Sequence, residues 1–277
     1  MTRTKSTRFM FQPVILVRPC EMVTYRITEA IRAGDVKVGE RLPAEQSLSE
    51  QLCVSRPTLR EAIKLLAQAG VVQVLPGSSG GTFVISELIP PELCGFPLPD
   101  LDLQSQDVNS VLEARRLFEP HVARLASMYA TPADFERMRD AVKLCEETSA
   151  RFKKKKITEV DVKLMTIAST RFNIAVARAS QNSLIVQMME VMMRRLELVR
   201  SLALRELPDA GMSAQHLRDS LLAIESGNSD QIDATTSARI ELLESAWEQA
   251  SGKRLRRRVI MQTHTATVTT QKTASKR

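Results

Sequence analysis

The chain has 277 residues, of which 43% are hydrophobic and 4% aromatic, so it can form one large or two modest domains with a mainly aliphatic core. Its four Cys are far apart and form no C-x-x-C pair, which favours buried or inert thiols over a disulfide framework or a metal knuckle. No apolar run is long enough for a signal peptide or a membrane span, which predicts a cytoplasmic protein with no membrane partner.

The formal net charge of +7 is distributed unevenly along the chain. It is +3 over residues 1–90, −4 over 91–249 and +8 over 250–277. Basic ends suit a polyanionic partner, and an acidic middle indicates that this part does not contact it. A basic tail is often only a solubilising appendage, so the charge pattern needs support from a motif.

Three helices and a hairpin are predicted in the first third of the chain. Apolar residues recur at helical spacing, and Gly70 is a typical helix stop. Two short β-like runs flank the Gly-rich turn at 77–81, which predicts a hairpin. The predicted helices are 23–33, 45–52 and 56–69, and the predicted strands are 71–75 and 82–85.

The second and third of these helices form a helix-turn-helix pattern, in which the longer helix enters the major groove of DNA. Arg56 and Arg60 lie one turn apart on one face of that helix, and Arg suits bidentate contact with guanine. Ser55 and Thr58 are short hydroxyl donors suited to phosphates. An isolated Arg pair is more often a solvated surface feature, but the surrounding motif favours DNA contact here.

Residues 39–84 closely resemble the GntR family of bacterial transcription regulators. The resemblance implies that Arg56, Arg60 and Thr58 read the operator and that a wing around Gly77 reaches the minor groove or the backbone. The matching residues are Gly39, Leu42-Pro43-Ala44-Glu45, Leu48, Val54-Ser55-Arg56, Leu59-Arg60-Glu61-Ala62, Leu65, Gly70-Val71-Val72 and Gly81-Thr82-Phe83-Val84.

The match has three departures from the family pattern. A position that is often Arg, and that often touches DNA, holds Gln46 here. The turn glycine is Cys53, where a left-handed backbone would cost about 1 kcal/mol. At the wing, Pro76 occupies a position that can carry a polar contact residue, so the operator is expected to differ at the bases these residues would read.

From Asp107 onward nearly every segment has helical periodicity. Thr131-Pro132 and Asn182-Ser183 are typical helix starts, and Gly227 is a typical stop. The predicted fold class is therefore mainly α, with an N-terminal winged helix-turn-helix and a C-terminal all-helical bundle. The predicted helices of the bundle are 107–129, 132–152, 157–180, 183–206, 213–226 and 229–250.

This helical region is similar to the FCD sensor domain of the FadR-like branch of the family. The resemblance implies a small-molecule effector in the bundle and a homodimer that binds palindromic double-stranded DNA. The residues that carry it are Glu113, Arg115 and Glu119, then Phe172, Ala179-Ser180 and Asn182, and finally Ala223-Ile224-Glu225-Ser226-Gly227.

Many FCD domains hold a divalent metal through one Asp and three His, and this chain has lost that set. The corresponding positions are Ser169, Asn173, Leu217 and Arg239. His216 is one residue away from the third position, and the resulting rotation of about 100° on a helix predicts that it points away from the site. We expect no bound metal, although a partial site rescued by His216 stays open.

Without a metal, side chains must hold the effector. Arg115 is the best anchor for a carboxylate, Arg239 supplies further positive charge, and Asn173 offers a hydrogen bond. An equally weighted alternative is that both arginines form structural ion pairs with carboxylates of the bundle. The Met-rich helix 183–206 lines a pocket for a long apolar ligand or, in keeping with Met as a gap filler, packs in the core or a dimer interface.

The predicted function is a dimeric repressor that is released by a small carboxylate or acyl-type ligand. Two alternatives stay open: a metal-independent acyl-CoA or fatty-acid-responsive regulator, and a DNA-binding dimer with a ligand-free, degenerate sensor domain. No P-loop, nucleophile elbow, dinucleotide fingerprint or zinc motif is present, which argues against an enzyme. The predicted segments are a basic N-terminal extension (1–20), a winged helix-turn-helix domain (21–88), a linker (89–104), a helical effector-binding and dimerisation domain (105–251) and a basic disordered tail (252–277).

Overall fold

The computed structural model describes residues 17–77, 80–90, 93, 105–151, 157–207 and 209–255, without the side chains of 105–107. Most of the predicted linker, the tip of the wing, the lysines at 153–156 and the tail from 256 onward lie outside the described residues. The elements are α1 (Pro19–Ala33), α2 (Glu45–Gln51), α3 (Arg56–Gln68), β1 (Val72–Leu75), β2 (Gly81–Val84), α4 (Ser105–Tyr129), α5 (Pro132–Ala150), α6 (Glu159–Ala179), α7 (Ser183–Glu206), α8 (Gly211–Ser226) and α9 (Ser229–Ser251).

The first helix begins four residues before the predicted start at Val23, so that boundary was wrong. Pro19 occupies the first helical position, where its missing N–H costs nothing and its fixed φ suits a helix. The backbone N–H of Arg18 donates to Glu21 Oε2 at 3.1 Å. These two local features start α1 before its apolar stripe begins.

α1, α2, α3 and the β-hairpin share one small core. Ile31, Leu59 and Leu66 are fully buried in it, together with Val71 at the entrance to β1. The hairpin is antiparallel, with Val72 opposite Val84. The wing therefore rests on the same core as the helix-turn-helix, which fixes its position relative to α3.

α4 to α9 form a second core that surrounds α6. Phe172 and Ala168 of α6 are fully buried, and Leu196 of α7 and Ile232 of α9 pack in the same cluster. The predicted helix starts are confirmed at Pro132 and Ser183. In the case of α6, the Thr158 side chain caps the helix, so it starts at Glu159 rather than at 157.

Basic side chains of the bundle hold the C-terminal end of α1. Arg171 of α6 donates to the carbonyls of Ile31 and Arg32, each at 3.1 Å, and pairs with Glu87 at 2.8 Å. Because the last carbonyls of a helix have no partner within the helix, these hydrogen bonds cap α1 from the other domain. Arg178, also on α6, pairs with both carboxylate oxygens of Asp35.

α7 divides its methionines between the interior and the surface. Met189 and Met193 are buried in the bundle core, as the gap-filling role of Met predicts, whereas Met188 is exposed.

Among the described helices, none is both long and apolar enough to cross a membrane.

Candidate DNA-reading surface and effector cavity

The N-terminus of α3 is exposed and ordered by a side-chain cap. Ser55 Oγ accepts a hydrogen bond from the backbone N–H of Thr58 at 3.3 Å. Cys53, in the turn before it, has φ 53°, the left-handed conformation expected where the family has glycine. Cys53 is exposed, whereas Cys20 and Cys145 are buried; all three are free thiols, and Cys94 lies outside the described residues.

The residues predicted to contact DNA are exposed, except that Thr58 is half-buried. Arg60 Nε donates to Glu45 Oε2 at 2.8 Å, a solvent-exposed pair that aligns Arg60 across α2 and α3. The exposed residues are Gln46, Ser55, Arg56, Arg60 and Gly77. Their role in reading DNA stays a prediction.

Lys64 extends the basic side of α3 and was missed by the sequence reasoning. It is exposed and lies one turn beyond Arg60, so Arg56, Arg60 and Lys64 follow one another at i, i+4 and i+8. This spacing was visible in the sequence. The stripe is suited to phosphate contacts that follow the recognition helix along the groove.

A narrow cavity lies inside the bundle, with walls from all six helices α4 to α9. Its volume is about 60 Å³. The lining residues are Arg115, Cys145, Met165, Ser169, Arg200, Ala203, Leu204, Leu207, Ser213, His216, Leu217, Arg239, Leu242, Leu243 and Ala246. Mainly apolar walls with a few convergent polar groups are typical of a small-molecule site.

Of the three residues predicted to bind the effector, Arg115 and Arg239 line this cavity, and Asn173 is buried and hydrogen-bonded to Arg239. Arg115 and Glu119 form a buried pair, with Nε to Oε1 at 2.5 Å and Nη2 to Oε2 at 3.1 Å. Arg239 donates to Glu119 Oε2 at 3.0 Å and to Asn173 Oδ1 at 2.8 Å. Asn173 donates in turn to the carbonyl of Ser169 at 2.7 Å. Both arginines therefore form ion pairs with a carboxylate of the bundle, as the structural alternative predicted, and their role in effector binding stays a prediction.

The ion pairs leave hydrogen-bonding capacity unused. Nη1 of Arg115 and Nε of Arg239 are buried and have no hydrogen-bond partner. Burial opposes ionisation of Glu119, but Arg115 and Arg239 outweigh it and hold the pKa of this carboxyl below its usual range. Glu119 is therefore ionised at neutral pH and already engaged on both oxygens.

Arg200 of α7 is a third guanidinium at the cavity and was missed by the sequence reasoning. It is 3% exposed, donates to Thr170 Oγ1 at 3.2 Å and contacts Met193 Sδ at 3.0 Å. Burial, and next the charge of Arg115, lower its pKa to about 9. A sequence signal existed, because Arg200 continues the spacing of the buried residues Met189, Met193 and Leu196.

His216 lies in the cavity wall, so the expectation that it points away from the site is wrong. Both His216 and Leu217, successive residues of α8, line the cavity. The four positions of the family metal set hold a hydroxyl, an amide, an alkyl group and a guanidinium. Arg239 would repel a cation at that point, and so these side chains do not fit a divalent metal.

The architecture defines a class of protein before any comparison. An exposed helix-turn-helix with a basic recognition helix, joined to a bundle that encloses a cavity, is the arrangement of a ligand-responsive DNA-binding protein. The polar residues of the cavity are buried in the bundle, whereas the basic residues of α3 are exposed, so ligand sensing and DNA contact are assigned to different domains.

Comparison with known proteins agrees with this class. Residues 19–84 match the family model described as bacterial regulatory proteins, gntR family, and residues 110–242 match the FCD domain. The HTH-type transcriptional regulator LutR of Bacillus subtilis is 32% identical over 219 residues, which are 77% of this chain and 94% of LutR. The chain belongs to the GntR family, in its FadR-like branch with an FCD domain, and is a DNA-binding transcription regulator rather than an enzyme.

Two further relatives match over shorter stretches. RmpR of Mycobacterium gastri is 36% identical over 132 residues, 45% of either chain. The Uxu operon transcriptional regulator of Escherichia coli K12 is 30% identical over 179 residues, 62% of either chain. The matched part therefore spans less than two thirds of these two relatives, and what each regulates concerns that protein alone.

Proposed function

We propose that this regulator is a homodimeric repressor whose DNA binding is released by a small organic anion, held without a metal in the cavity of the bundle. The observation that carries the proposal is the buried cluster of Arg115, Glu119, Asn173 and Arg239. Its two unpartnered N–H groups belong to guanidiniums that line the cavity. A carboxylate is the ligand that satisfies such groups best, because guanidinium and carboxylate form paired charge-assisted hydrogen bonds.

The size of the cavity favours a short anion over an acyl-CoA. Its volume of about 60 Å³ is well below the roughly 300–1,000 Å³ of a typical small-molecule site, so it can take a short anion but not a coenzyme A conjugate. The unpartnered N–H groups of Arg115 and Arg239 count against a degenerate, ligand-free domain, because leaving them buried and unpaired costs about 1–3 kcal/mol each.

Binding without a metal follows from the same side chains. The guanidinium of Arg239 stands where the family has a metal ligand, and it brings the positive charge that a metal would otherwise provide. Adding a chelator is therefore expected to leave effector binding unchanged. A loss of binding in the chelator, restored by zinc, would contradict this part of the proposal.

An exposed apolar stripe on α7 supports the homodimer. Five apolar residues and Arg195 follow one another at alternating steps of four and three, the spacing that packs one helix against another. Exposed apolar patches of this kind are typical of interaction sites, and we assign this one to a second copy of the chain. The apolar members are Leu184, Met188, Val191, Leu198 and Leu202.

Sedimentation of the purified protein tests this interface. We expect wild type to sediment as a dimer and the Leu184→Glu/Leu198→Glu double variant to sediment as a monomer. The exposed Leu222 of α8, replaced in Leu222→Glu, is a matched control outside the stripe. A double variant that remains a dimer would remove α7 from the proposed interface.

The contacts between the two domains offer a route from cavity to DNA. Arg200 at the cavity donates to Thr170, and the next residue, Arg171, caps the end of α1. An anion that draws Arg200 toward itself would weaken its hydrogen bond to Thr170 and shift α6 against α1. The effector would then change the population of DNA-competent dimers through these two helices.

Genome-fragment selection with purified protein, followed by sequencing, tests the DNA-reading role. We expect one palindromic site to be enriched, with half-sites about one helical turn apart, and Arg56→Ala to lose that enrichment. If Arg56→Ala selects the same fragments as wild type, α3 does not read sequence in the proposed way.

Thermal unfolding in the presence of candidate ligands tests the effector role and separates the alternatives. A short carboxylate is expected to raise the Tm of wild type, because a ligand that binds only the folded state stabilises it. A rise in Tm with acyl-CoA and none with short acids would favour the alternative of a regulator that responds to acyl-CoA or fatty acids. No shift with either class would favour the ligand-free bundle.

A further inference from the structure

The charges at the cavity do not balance. Three buried guanidiniums, those of Arg115, Arg200 and Arg239, interact with one another and with the carboxylate of Glu119. Glu197, one turn before Arg200 on α7, also acts on Arg200, but it forms its ion pair with Arg32. Among the described residues, Arg200 takes part in no ion pair, and its hydrogen-bond partners are the hydroxyl of Thr170 and a thioether. The cluster therefore carries two more positive than negative charges.

No other acidic side chain compensates for this excess at the cavity wall. The described lining residues include three arginines and His216 but no Asp or Glu. Glu244 of α9 is also buried, but it pairs with Arg116 at 2.6 Å and so is already matched by a cation of its own. Burying a charge without a counter-charge is costly, so the excess is a feature that a ligand must relieve.

We propose that the effector is a short dianion, a dicarboxylate or a phosphate monoester, and that Arg200 is the residue that selects for its second negative charge. This inference rests on the proposed function, because it specifies the anion that the cavity takes. One anionic group would engage Arg115 and Arg239, whose unpartnered N–H groups are available, and the second would neutralise Arg200. A monoanion would leave Arg200 as a buried, uncompensated cation.

Isothermal titration of the full-length protein measures this preference directly. Succinate, glycerol 3-phosphate and butyrate are compared at one ionic strength set with sodium chloride. We expect at least one of the two dianions to bind roughly tenfold or more tightly than butyrate, because one more hydrogen-bonded charge pair is worth a factor of that size. The stronger of the two dianions identifies the source as carboxylate or phosphate.

Arg200→Met separates ligand selection from a structural role. Met has an apolar stem of similar length, so the variant removes the charge and keeps most of the volume. We expect the preference for the dianion over butyrate to disappear and the Tm of the ligand-free protein to rise, because a buried charge is removed. Arg205→Gln on the same helix is the matched control, since Arg205 is exposed and pairs with Glu159 at 2.8 Å.

The outcomes distinguish this inference from the proposed function. If succinate and butyrate bind equally and Arg200→Met leaves their ratio unchanged, the dianion inference fails while an anion effector stands. If Arg200→Met lowers the ligand-free Tm and keeps the wild-type ratio, Arg200 is structural and the inference fails as well. If none of the three anions binds, the proposed effector role fails together with the inference.

Discussion

The two functional regions use the same residue type in opposite surroundings. Arg56 and Arg60 of the DNA-reading surface are exposed, and the carboxylate that pairs with Arg60 is also exposed. Arg115 and Arg200 at the cavity are almost completely buried and interact with other buried charges. An exposed ion pair contributes about 0–1 kcal/mol to stability, whereas breaking a buried one costs several times more.

We therefore expect the effector site to be coupled to the stability of the fold, and the DNA-reading surface to be independent of it. Substitutions on α3 are expected to change DNA affinity without changing the free energy of unfolding. Substitutions in the cavity are expected to change both the DNA affinity and the free energy of unfolding.

The largest effect is expected for Glu119→Gln. This variant removes the one carboxylate that Arg115 and Arg239 share, so the guanidiniums lose their counter-charge inside the bundle. We expect the free energy of unfolding to fall by about 3–5 kcal/mol in urea titrations. Glu241→Gln, at an exposed position of the helix that carries Arg239, should change it by less than about 0.5 kcal/mol. Equal effects of the two variants would contradict the contrast between buried and exposed charges.

Lowering the pH should reduce the difference in the free energy of unfolding between wild type and Glu119→Gln. The pKa of Glu119 in the folded protein is below its ordinary value of 4.5, because Arg115 and Arg239 favour the carboxylate over the burial that opposes it. The stabilisation is therefore complete above about pH 4.5 and is lost as the pH falls through the folded-state pKa. Urea titrations between pH 7 and pH 3 measure the difference between the two proteins. A difference that grows toward low pH would show that the sign is wrong.

Arg56→Ala should affect DNA binding alone. We expect its affinity for the selected site to fall by about 1–3 kcal/mol, because one bidentate base contact is lost, with the free energy of unfolding unchanged within about 0.5 kcal/mol. Fluorescence anisotropy with labelled DNA measures the affinity. Arg218→Ala on α8, also exposed, is the control and should bind DNA as wild type does. A large loss of stability in Arg56→Ala would contradict the expectation that the exposed DNA-reading residues do not stabilise the fold.

The smallest effect is a gain of stability in Cys53→Gly. Cys53 has φ 53°, which costs an L-residue about 1–2 kcal/mol, and the greater freedom of Gly in the unfolded chain cancels part of the gain. We expect the free energy of unfolding to rise by about 0.5–1 kcal/mol.

Gln181, with φ 55°, provides a comparison for that variant. Its side chain donates to Asp134 Oδ2 at 3.2 Å, and Gln181→Gly loses this hydrogen bond while gaining the same backbone relief. We therefore expect Gln181→Gly to be stabilised less than Cys53→Gly. A larger gain in Gln181→Gly would mean that the left-handed backbone is not what limits stability at Cys53.

Local signals explain what the sequence predicted well. The helix-turn-helix, the hairpin and the caps at Thr131 and Asn182 depend on residues close together in the chain, and their elements were confirmed. The start of α1 was misplaced because apolar periodicity outweighed the cap at Arg18 and Pro19. The cluster of Arg115, Asn173 and Arg239 was anticipated through the family resemblance, which supplies register between distant helices.

Long-range placement explains what the sequence left out. Arg200 belongs to no recognisable motif, and only its position on the buried face of α7 indicates that it lies inside the bundle. His216 was misplaced because a rotation on α8 does not show which of its residues line the cavity, and both His216 and Leu217 do. The contacts of Arg171 with the end of α1 join residues about 140 positions apart, a pairing that no local pattern specifies.

The coupling of the cavity to the DNA-reading surface is tested most directly by the DNA affinity of wild type in the presence of succinate, or of glycerol 3-phosphate in its place if calorimetry shows that only the phosphate binds. Anisotropy with the selected operator is measured with and without saturating succinate, at one ionic strength. We predict that succinate weakens DNA binding roughly 5- to 150-fold, the usual range of coupling between two sites. If succinate binds the protein and the affinity for the operator stays the same, the cavity does not control the DNA-reading surface.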